Sequence, residues 1–213
     1  MRMRKKKHGT ERISMLSELL ITEENSAPGN NTKFFPGSAP LHLEIGCGKG
    51  RFICGMAQKY PNINFIAIER IPDVIVCAME KCGSASLQNI RFIISDALHL
   101  PVFFAPGEIH RIYLNFSDPW PKKKHHKRRL TAPKFLNIYK TLLCPGGSVV
   151  LKTDNRALFD FSLVEFQKAD FRLDAVTYDL HNSVYQENNV ITEYEQNFAS
   201  KGLPIHSVTA YRD

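Results

Sequence analysis

Apolar stretches of two lengths alternate along this chain from residue 41 onward. Short continuous apolar runs that end at glycine, proline or an acid are typical of buried strands. Longer stretches with apolar residues at helical spacing follow several of these runs, at 50–60, 72–82, 133–144 and 155–169. The predicted strands are LHLEIG (41–46), NFIAIE (64–69), RFIISD (91–96), IHRIYLNFS (109–117), SVVLKTD (148–154), LDAVTYDL (173–180) and HSVTAYR (206–212).

This alternation predicts an α/β fold with a mostly parallel, seven-stranded sheet and helices on both faces. Residues 1–40 have a different texture. ERISMLSELLI (11–21) predicts a short helix, and the Gly-, Pro- and Asn-rich segment after it predicts a loop. We therefore expect a basic, partly flexible N-terminal arm at 1–40 and a single domain at 41–213.

Each of the first five predicted strands carries an acid at or near its end. Ligands of parallel α/β sheets bind at the carboxyl ends of the strands, so these acids are candidates for a binding site. Capping of the following helices would account for one or two of them. The five acids are Glu44, Glu69, Asp96, Asp118 and Asp154.

The first strand runs into a turn with three glycines, in LEIGCGKG (43–50). The spacing is not that of a dinucleotide-binding loop, whose third small residue would fall on Arg51. Glu44 would repel a phosphate but would favour a ligand with a cationic end. Glu69 stands where an acid binds ribose hydroxyls, and Asp96 can accept from an adenine amino group. Together these residues predict an adenosine with a positive, phosphate-free tail, as in S-adenosylmethionine.

Positive charge is concentrated in two segments. The net charge is +7, and residues 1–8 hold five Lys or Arg while residues 122–129 hold six, with no acid in either segment. The remainder of the chain has more acidic than basic groups. Such a distribution is typical of a protein that binds a polyanion.

The sequence also predicts where the protein resides and its redox state. No apolar run approaches the roughly 20 residues that cross a bilayer, and no apolar leader follows the basic N-terminus, so we expect a cytoplasmic protein that does not bind a membrane. The five cysteines form no C-x-x-C pair. We therefore expect reduced, mostly buried thiols and no metal site.

The second basic segment directly follows an acid, in NFSDPWPKKKHHKRR (115–129). Pro119 restricts Asp118 to extended geometry, and Pro121 stiffens the loop again. This predicts that Asp118 is held at the rim of the sheet, beside the methyl donor. Phosphates bound by 122–129 would then hold a nucleic acid there, although phosphate contacts position a nucleic acid without reading its sequence.

Four segments together resemble the bacterial tRNA (guanine-N7-)-methyltransferase family: LEIGCGKG, LNFSDPWPKKKHHKRRLT, KTDN and TEYEQNF. The resemblance runs from about residue 41 to the C-terminus, and the DPWPKK-H-KRR segment is its most specific part. It implies a class I S-adenosylmethionine-dependent methyltransferase (Rossmann-like) fold. It also implies methylation of N7 of the guanosine at position 46, in the variable loop of tRNA. We expect the protein to be a monomer or a homodimer.

The resemblance further implies roles for individual residues, each matched to a family motif. Asp118 is implied as the catalytic residue. Cofactor contacts are implied for Glu44, Gly46, Gly48, Gly50, Glu69, Asp96 and Asp118. Substrate contacts are implied for Lys122, Asp154, Thr192, Glu193, Tyr194 and Glu195. RNA contacts are implied for Lys124, His125, His126, Lys127, Arg128 and Arg129.

The chemistry constrains the role of Asp118. N7 of guanine has a lone pair and no proton, so its attack on a sulfonium methyl needs no general base. A carboxylate can instead accept from the guanine N1–H and amino group, and it can stabilise the positive charge that develops on the ring. The target base must leave its stack to reach the donor. Trp120 or Phe116 could then stack on it, or they could serve as a loop wedge and a core residue.

Structural explanations stand beside some of these roles. Asp154-Asn155 could cap the following helix, and Thr192-x-x-Glu195 is a capping-box pattern. Two other functions are also compatible with the sequence. One is methylation of a different RNA or of a small molecule, and the second of these would not need the basic segment at 122–129. The other is an RNA-binding module whose donor site is degenerate, which would fail to bind S-adenosylmethionine.

Overall fold

A computed structural model of the chain describes residues 9–199 and 202–213, with the side chains at 188, 193, 197 and 199 left out. The basic run at 1–8 lies outside the described residues. The chain divides between Phe104 and Ala105 into two compact units, and each unit carries a share of the predicted strands. No helix in the described ranges is long and apolar enough to cross a membrane.

The first unit contains a parallel four-stranded arrangement in the order β1-β4-β3-β2. Apart from the short β1, its strands are mostly apolar and largely buried, as expected for a parallel sheet with helices on its faces. Its strands are β1 (Leu20–Ile21), β2 (Leu41–Ile45), β3 (Asn64–Glu69) and β4 (Ile90–Ile94). Its helices are α1 (Gly9–Ser14), α2 (Arg51–Lys59), α3 (Pro72–Ser84) and α4 (Leu100–Phe103).

The predicted arm is packed onto the first unit from Gly9 onward. The guanidinium of Arg12 on α1 donates two hydrogen bonds of 2.6 Å to Glu80 on α3. The helix predicted at 11–21 ends at Ser14, and Leu20 and Ile21 form the short strand β1 beside β4. The described residues therefore form eight strands, one more than predicted, because two residues of β1 are too few to show a strand pattern.

The second unit contains a mixed arrangement in the order β5-β6-β8-β7. β5 and β6 are parallel, whereas β8 is antiparallel to both β6 and β7. The Pro-Gly-Gly segment at 145–147, directly after the helix predicted at 133–144, lies inside β6, where the pairing with β5 shifts register between Ile109 and Arg111. The elements are β5 (Ile109–Asn115), α5 (Pro133–Leu142), β6 (Leu143–Thr153), α6 (Arg156–Lys168), β7 (Phe171–Thr177), α7 (Glu193–Ala199) and β8 (His206–Arg212).

One prediction about cysteine was wrong. Cys54 on α2 and Cys82 on α3 form a disulfide, with their Cα atoms 5.9 Å apart. The sequence could not reveal this pair, because 28 residues separate the two cysteines and only the packing of α2 against α3 brings them together. Cys47, Cys77 and Cys144 form no disulfide and are reduced thiols, as predicted.

Candidate active site

Three of the predicted acids lie at one edge of the first unit. Glu44 is the fourth residue of β2 and is 2% exposed, Glu69 ends β3, and Asp96 follows β4 by two residues. Because β2, β3 and β4 are parallel neighbours, their carboxyl ends lie along the same edge. The local sequence thus places three carboxylates where parallel α/β sheets bind ligands.

The glycine turn after β2 takes backbone conformations that disfavour other residues. Gly46, Gly48 and Gly50 have φ angles of 79°, 57° and 76°, all in the left-handed region. A Cβ added at Gly46 or Gly48 would meet no atom within 4 Å. The first two glycines therefore leave open space beside the backbone, as a loop needs if a ligand is to approach it.

Glu69 and Asp96 also fix the loops around this edge. The Glu69 carboxylate accepts hydrogen bonds from the backbone N–H of Gly48 at 3.3 Å and of Ile71 at 3.1 Å. Asp96 caps the short 3-10 turn at Ala97–His99 by accepting from the Leu98 N–H at 3.0 Å. A carboxylate has about four lone-pair sites, so both acids keep capacity to accept from hydroxyl or amino groups of a ligand.

The Cys47 thiol lies within this glycine turn and is kept neutral. Burial, followed by the carboxylates of Glu44 and Glu69, raises the pKa of Cys47 well above its usual value. A thiolate at this place would compete as a nucleophile for a sulfonium methyl group. The surroundings of Cys47 therefore disfavour the thiolate, the form that reacts as a nucleophile.

Gly50→Ala is expected to destabilise the first unit and to weaken S-adenosylmethionine binding. The added Cβ would lie 2.4 Å from Cβ of Ala78 on α3, and the residue would keep a φ of 76°. Overpacking and a left-handed alanine together should lower the free energy of unfolding by about 2–4 kcal/mol. Chemical denaturation and calorimetry with S-adenosylmethionine would measure both effects. Gly107→Ala, at a φ of 73° with open space around its Cβ, is the matched control for the backbone part alone.

In the second unit, β5 leads into a strained loop that presents Asp118. Phe116 and Trp120 have φ angles of 51° and 41°, values that bulky residues adopt only when the surroundings impose them. Asp118, between them, is exposed, and no hydrogen bond or ion pair to its carboxylate occurs among the described residues. Strain stored on both sides of a free carboxylate is typical of a functional loop.

Arg129 is buried against this loop and donates hydrogen bonds to its backbone. Its side chain is 2% exposed, its Nε donates to the Pro119 carbonyl at 2.8 Å, and its guanidinium lies 4.5 Å from the ring centre of Phe161. A second guanidinium nitrogen donates to the Trp120 carbonyl at 3.4 Å. This burial does not fit the RNA contact predicted for Arg129; the side chain instead fixes the backbone directly after Asp118, at Pro119 and Trp120.

The other residues of the basic segment pack against aromatic rings, are exposed to solvent or, in the case of Arg128, do both. Arg128 lies over the Trp120 ring at 4.9 Å, His125 meets the same ring edge-on at 5.8 Å, and His126 packs against Phe161 at 5.5 Å. Trp120 is thus already packed against two residues of the segment. The exposed cations are Lys122, Lys123, Lys124, Lys127 and Arg128.

Asp154 and Tyr194 belong to a second group of predicted residues in this unit. Asp154 directly follows β6, and it is the next residue, Asn155, that caps α6 by accepting from the Leu158 N–H at 2.9 Å. The side chain that caps α6 is therefore that of Asn155 and not that of Asp154. Burial and then the Asp154 carboxylate raise the pKa of the Tyr194 phenol. The Tyr194 ring is 46% exposed and lies between Phe116, at 5.0 Å, and Phe198, at 4.5 Å.

Thr192 and Glu195 form the capping box at the start of α7. The Glu195 N–H donates to the Thr192 hydroxyl at 2.9 Å, and the Thr192 N–H donates to Glu195 Oε2 at 3.2 Å. Glu195 is fully buried, which does not fit a direct contact with the substrate. The side chain of Glu193, also predicted at the substrate site, lies outside the described residues.

Sequence reasoning missed the partners of Glu195. Lys152 on β6 donates to Glu195 Oε2 at 2.9 Å, and His181 Nε2 lies 2.8 Å from Oε1. Burial alone acts to raise the pKa of Glu195, but Lys152 and the hydrogen bonds to the carboxylate outweigh burial and lower the pKa. The only signal in the sequence was the capping-box pattern, which predicts where Glu195 lies along α7 but not which residues contact it.

Solved structures of methyltransferases share this fold. An antibiotic-related methyltransferase matches with a TM-score of 0.63 at 16% identity, covering 90% of this chain and 94% of that chain. A SAM-dependent methyltransferase from Aquifex aeolicus matches with a TM-score of 0.58 at 14% identity, covering 98% of this chain and 100% of that chain. At these identities the similarity shows the fold alone, and it confirms the predicted class I, Rossmann-like fold.

Sequence comparisons give the family. The family model described as "Putative methyltransferase" matches residues 38–208. The tRNA (guanine-N(7)-)-methyltransferase of Listeria welshimeri serovar 6b is 46% identical over 213 residues, covering 100% of this chain and 99% of the relative. The enzyme of the same name from Listeria monocytogenes serotype 4a matches with the same identity and coverage. The chain therefore belongs to the tRNA (guanine-N7-)-methyltransferase family.

Proposed function

We propose that the protein transfers a methyl group from S-adenosylmethionine to N7 of the guanosine at position 46 in the variable loop of tRNA. The observation that carries the proposal is Asp118, a free, exposed carboxylate on a strained loop that continues directly into exposed cations. The tRNA (guanine-N7-)-methyltransferase family, to which the chain belongs, supplies the reaction class and the substrate class.

The residues of the first unit suit S-adenosylmethionine. The glycine turn offers open space beside Gly46 and Gly48, and Glu44 provides negative charge for a ligand whose tail is cationic. Glu69 accepts from ribose hydroxyls and Asp96 from the adenine amino group, with the lone pairs that their loop contacts leave over. The bound cofactor supplies an electrophilic methyl group on a sulfonium. Asp118 is proposed as a further cofactor contact.

Catalysis on N7 depends on positioning. The N7 lone pair attacks the methyl carbon, and the bond from that carbon to sulfur breaks without any proton transfer beforehand. Asp118 accepts hydrogen bonds from the N1–H and amino group of guanine, which orients the base. The same carboxylate stabilises the positive charge that the ring gains as N7 is alkylated. Because Arg129 and the strained residues fix the loop before substrate arrives, little reorganisation remains for the reaction step.

The second unit also provides the RNA contacts. Lys122, Lys124, Lys127 and Arg128 are exposed and bind phosphates, while the half-buried His125 and His126 brace the segment and present their ring edges to the RNA. Asp154, Thr192 and Tyr194 form the border of the substrate site. Trp120 is packed against Arg128 and His125, so the ring group of Phe116 and Tyr194 is the better candidate to stack on the guanine. The basic segment argues against a small-molecule substrate.

Mapping of N7-methylguanosine tests this function. Purified protein and S-adenosylmethionine are incubated with a tRNA transcript carrying guanosine at position 46 and with a matched transcript carrying adenosine there. We expect one N7-methylguanosine, at position 46, in the first transcript alone. Methylation of free guanosine at an equal rate would identify a small-molecule enzyme. Binding of tRNA with no binding of S-adenosylmethionine would identify an RNA-binding module, and modification at another position would refute the assigned site.

A further inference from the structure

We infer that Lys152 is a positioning residue for the target guanosine, acting with Glu195 and His181 through a buried network beneath the substrate site. The inference rests on the proposed function and deepens it. Its basis is that Lys152 links three chain segments, each of which carries a residue proposed to meet the substrate. None of the three network residues needs to touch the RNA.

Lys152 makes connections through both its backbone and its side chain. Its carbonyl accepts from the Phe116 N–H at 2.8 Å, two residues before Asp118. It lies on β6, two residues before Asp154. Its ammonium donates to Glu195 Oε2 at 2.9 Å and so reaches α7, the helix that carries Tyr194.

The Lys152 ammonium is fully satisfied inside the protein. Besides Glu195 it donates to Asn189 Oδ1 at 2.9 Å and to the Val190 carbonyl at 3.1 Å, which uses all three of its protons. The side chain is 4% exposed. The ammonium therefore orders the segment before α7 and has no donor left for a phosphate.

The Glu195 carboxylate is also fully used. Oε2 accepts from Lys152 and from the Thr192 N–H, and Oε1 accepts from Asn189 and lies 2.8 Å from His181 Nε2. These four contacts occupy about four lone-pair sites. Glu195 thus has neither exposed surface nor accepting capacity for a substrate, and its effect on the reaction passes through Thr192 and Tyr194.

The buried charges of the network contribute more to fixing one conformation of the chain than to its stability. A buried ion pair adds little net stability compared with apolar residues of the same size, because both groups lose their hydration. A network in which every polar group is hydrogen-bonded does, however, restrict the chain to a single arrangement. That arrangement fixes the start of α7 and holds the Tyr194 ring 5.0 Å from Phe116.

His181→Ala is the primary test, because His181 lies at the edge of the network with 20% of its side chain exposed. We expect kcat for tRNA methylation to fall by about 10- to 100-fold, since small misplacements near reacting atoms have effects of this size. KM for tRNA and the affinity for S-adenosylmethionine should stay within about two-fold. His181→Gln places an amide donor near the same carboxylate oxygen and should recover most of kcat.

A matched control separates positioning from stability. Lys140→Met removes a lysine of the same unit that donates to the Ala169 carbonyl at 2.9 Å and to Asp170 at 3.2 Å. We expect a lower midpoint of thermal unfolding and an unchanged kcat at temperatures well below that midpoint. If His181→Ala changed the unfolding midpoint as Lys140→Met does and left kcat unchanged, the inference would be overturned.

A double variant, Lys152→Met with Glu195→Leu, removes both buried charges together and keeps the volume. We expect a folded protein that binds S-adenosylmethionine normally but methylates tRNA at least about ten-fold more slowly, because the start of α7 loses its anchor. Wild-type kcat in this variant would overturn the inference, as would failure of His181→Gln to exceed His181→Ala. Failure of the proposed function is distinguishable, since it would appear in the wild-type protein as absent methyl transfer.

Discussion

Asp118→Ala is expected to slow methyl transfer to tRNA by about 10²- to 10³-fold, the range found when one preorganised electrostatic group is removed from a catalytic site. In the proposed function this carboxylate meets the guanine and the developing charge, so its loss acts on the reaction step. Single-turnover rates with saturating tRNA and S-adenosylmethionine would measure the effect. Binding of tRNA should change by no more than a few-fold, because exposed cations at 122–128 provide that affinity.

The Asp118 variant should fold normally. The carboxylate has no hydrogen bond or ion pair among the described residues, so its removal leaves no buried partner unsatisfied. Asp118→Asn should give an intermediate loss, since the amide keeps one acceptor oxygen but not the charge. Asp170→Asn, at an acid whose side chain is 87% exposed and whose φ of 56° asparagine tolerates, is the control for loss of one negative charge in the same unit. Equal losses of tRNA binding and of rate in Asp118→Ala would contradict the assigned role.

Features that depend on short stretches of sequence could be predicted. The strand runs, the helices between them and the glycine turn followed from local patterns, and the structure confirms each as an element at about the expected place. The position of Glu69 at the end of β3 and of Asp154 directly after β6 follows from the same patterns. Within the first unit, the parallel pairing of β2, β3 and β4 then places their carboxyl ends at one edge without further information.

Features that depend on contacts between distant segments could not be predicted. From the sequence, Arg129 looks like one more cation of the basic segment. Only its contacts with Phe161 and the Pro119 carbonyl in the structure show that it is buried. Glu195 reads as a polar residue of the substrate motif, whereas its partners Lys152 and His181 lie 43 and 14 residues away in the chain. In both cases the local pattern predicts the residue's position, and tertiary packing decides its role.

The second large predicted effect is on RNA affinity, and it depends on the difference between the exposed cations of the basic segment and the buried Arg129. Replacing Lys122, Lys124 and Lys127 together with glutamine should weaken tRNA binding by about 100-fold near 0.15 M salt, because each phosphate contact contributes a slope of about 0.7–0.9 in the dependence of log K on log salt. The slope itself should become shallower by about two units. Filter binding or fluorescence anisotropy between 50 and 300 mM salt, about the range in which phosphate contacts dominate, would measure both.

Arg129→Met should instead change stability and leave the salt dependence of tRNA binding unchanged, although it also removes one positive charge from residues 122–129. The salt dependence of tRNA binding should stay close to that of the wild type, because the guanidinium is 2% exposed. The Pro119 and Trp120 carbonyls would lose their donors, which should lower the free energy of unfolding by about 1–3 kcal/mol. Methyl transfer should fall as well, since the loop that presents Asp118 is no longer braced. A salt slope reduced as much per charge as in the lysine variant would show that Arg129 turns outward to bind phosphate, and would refute the role in bracing the loop.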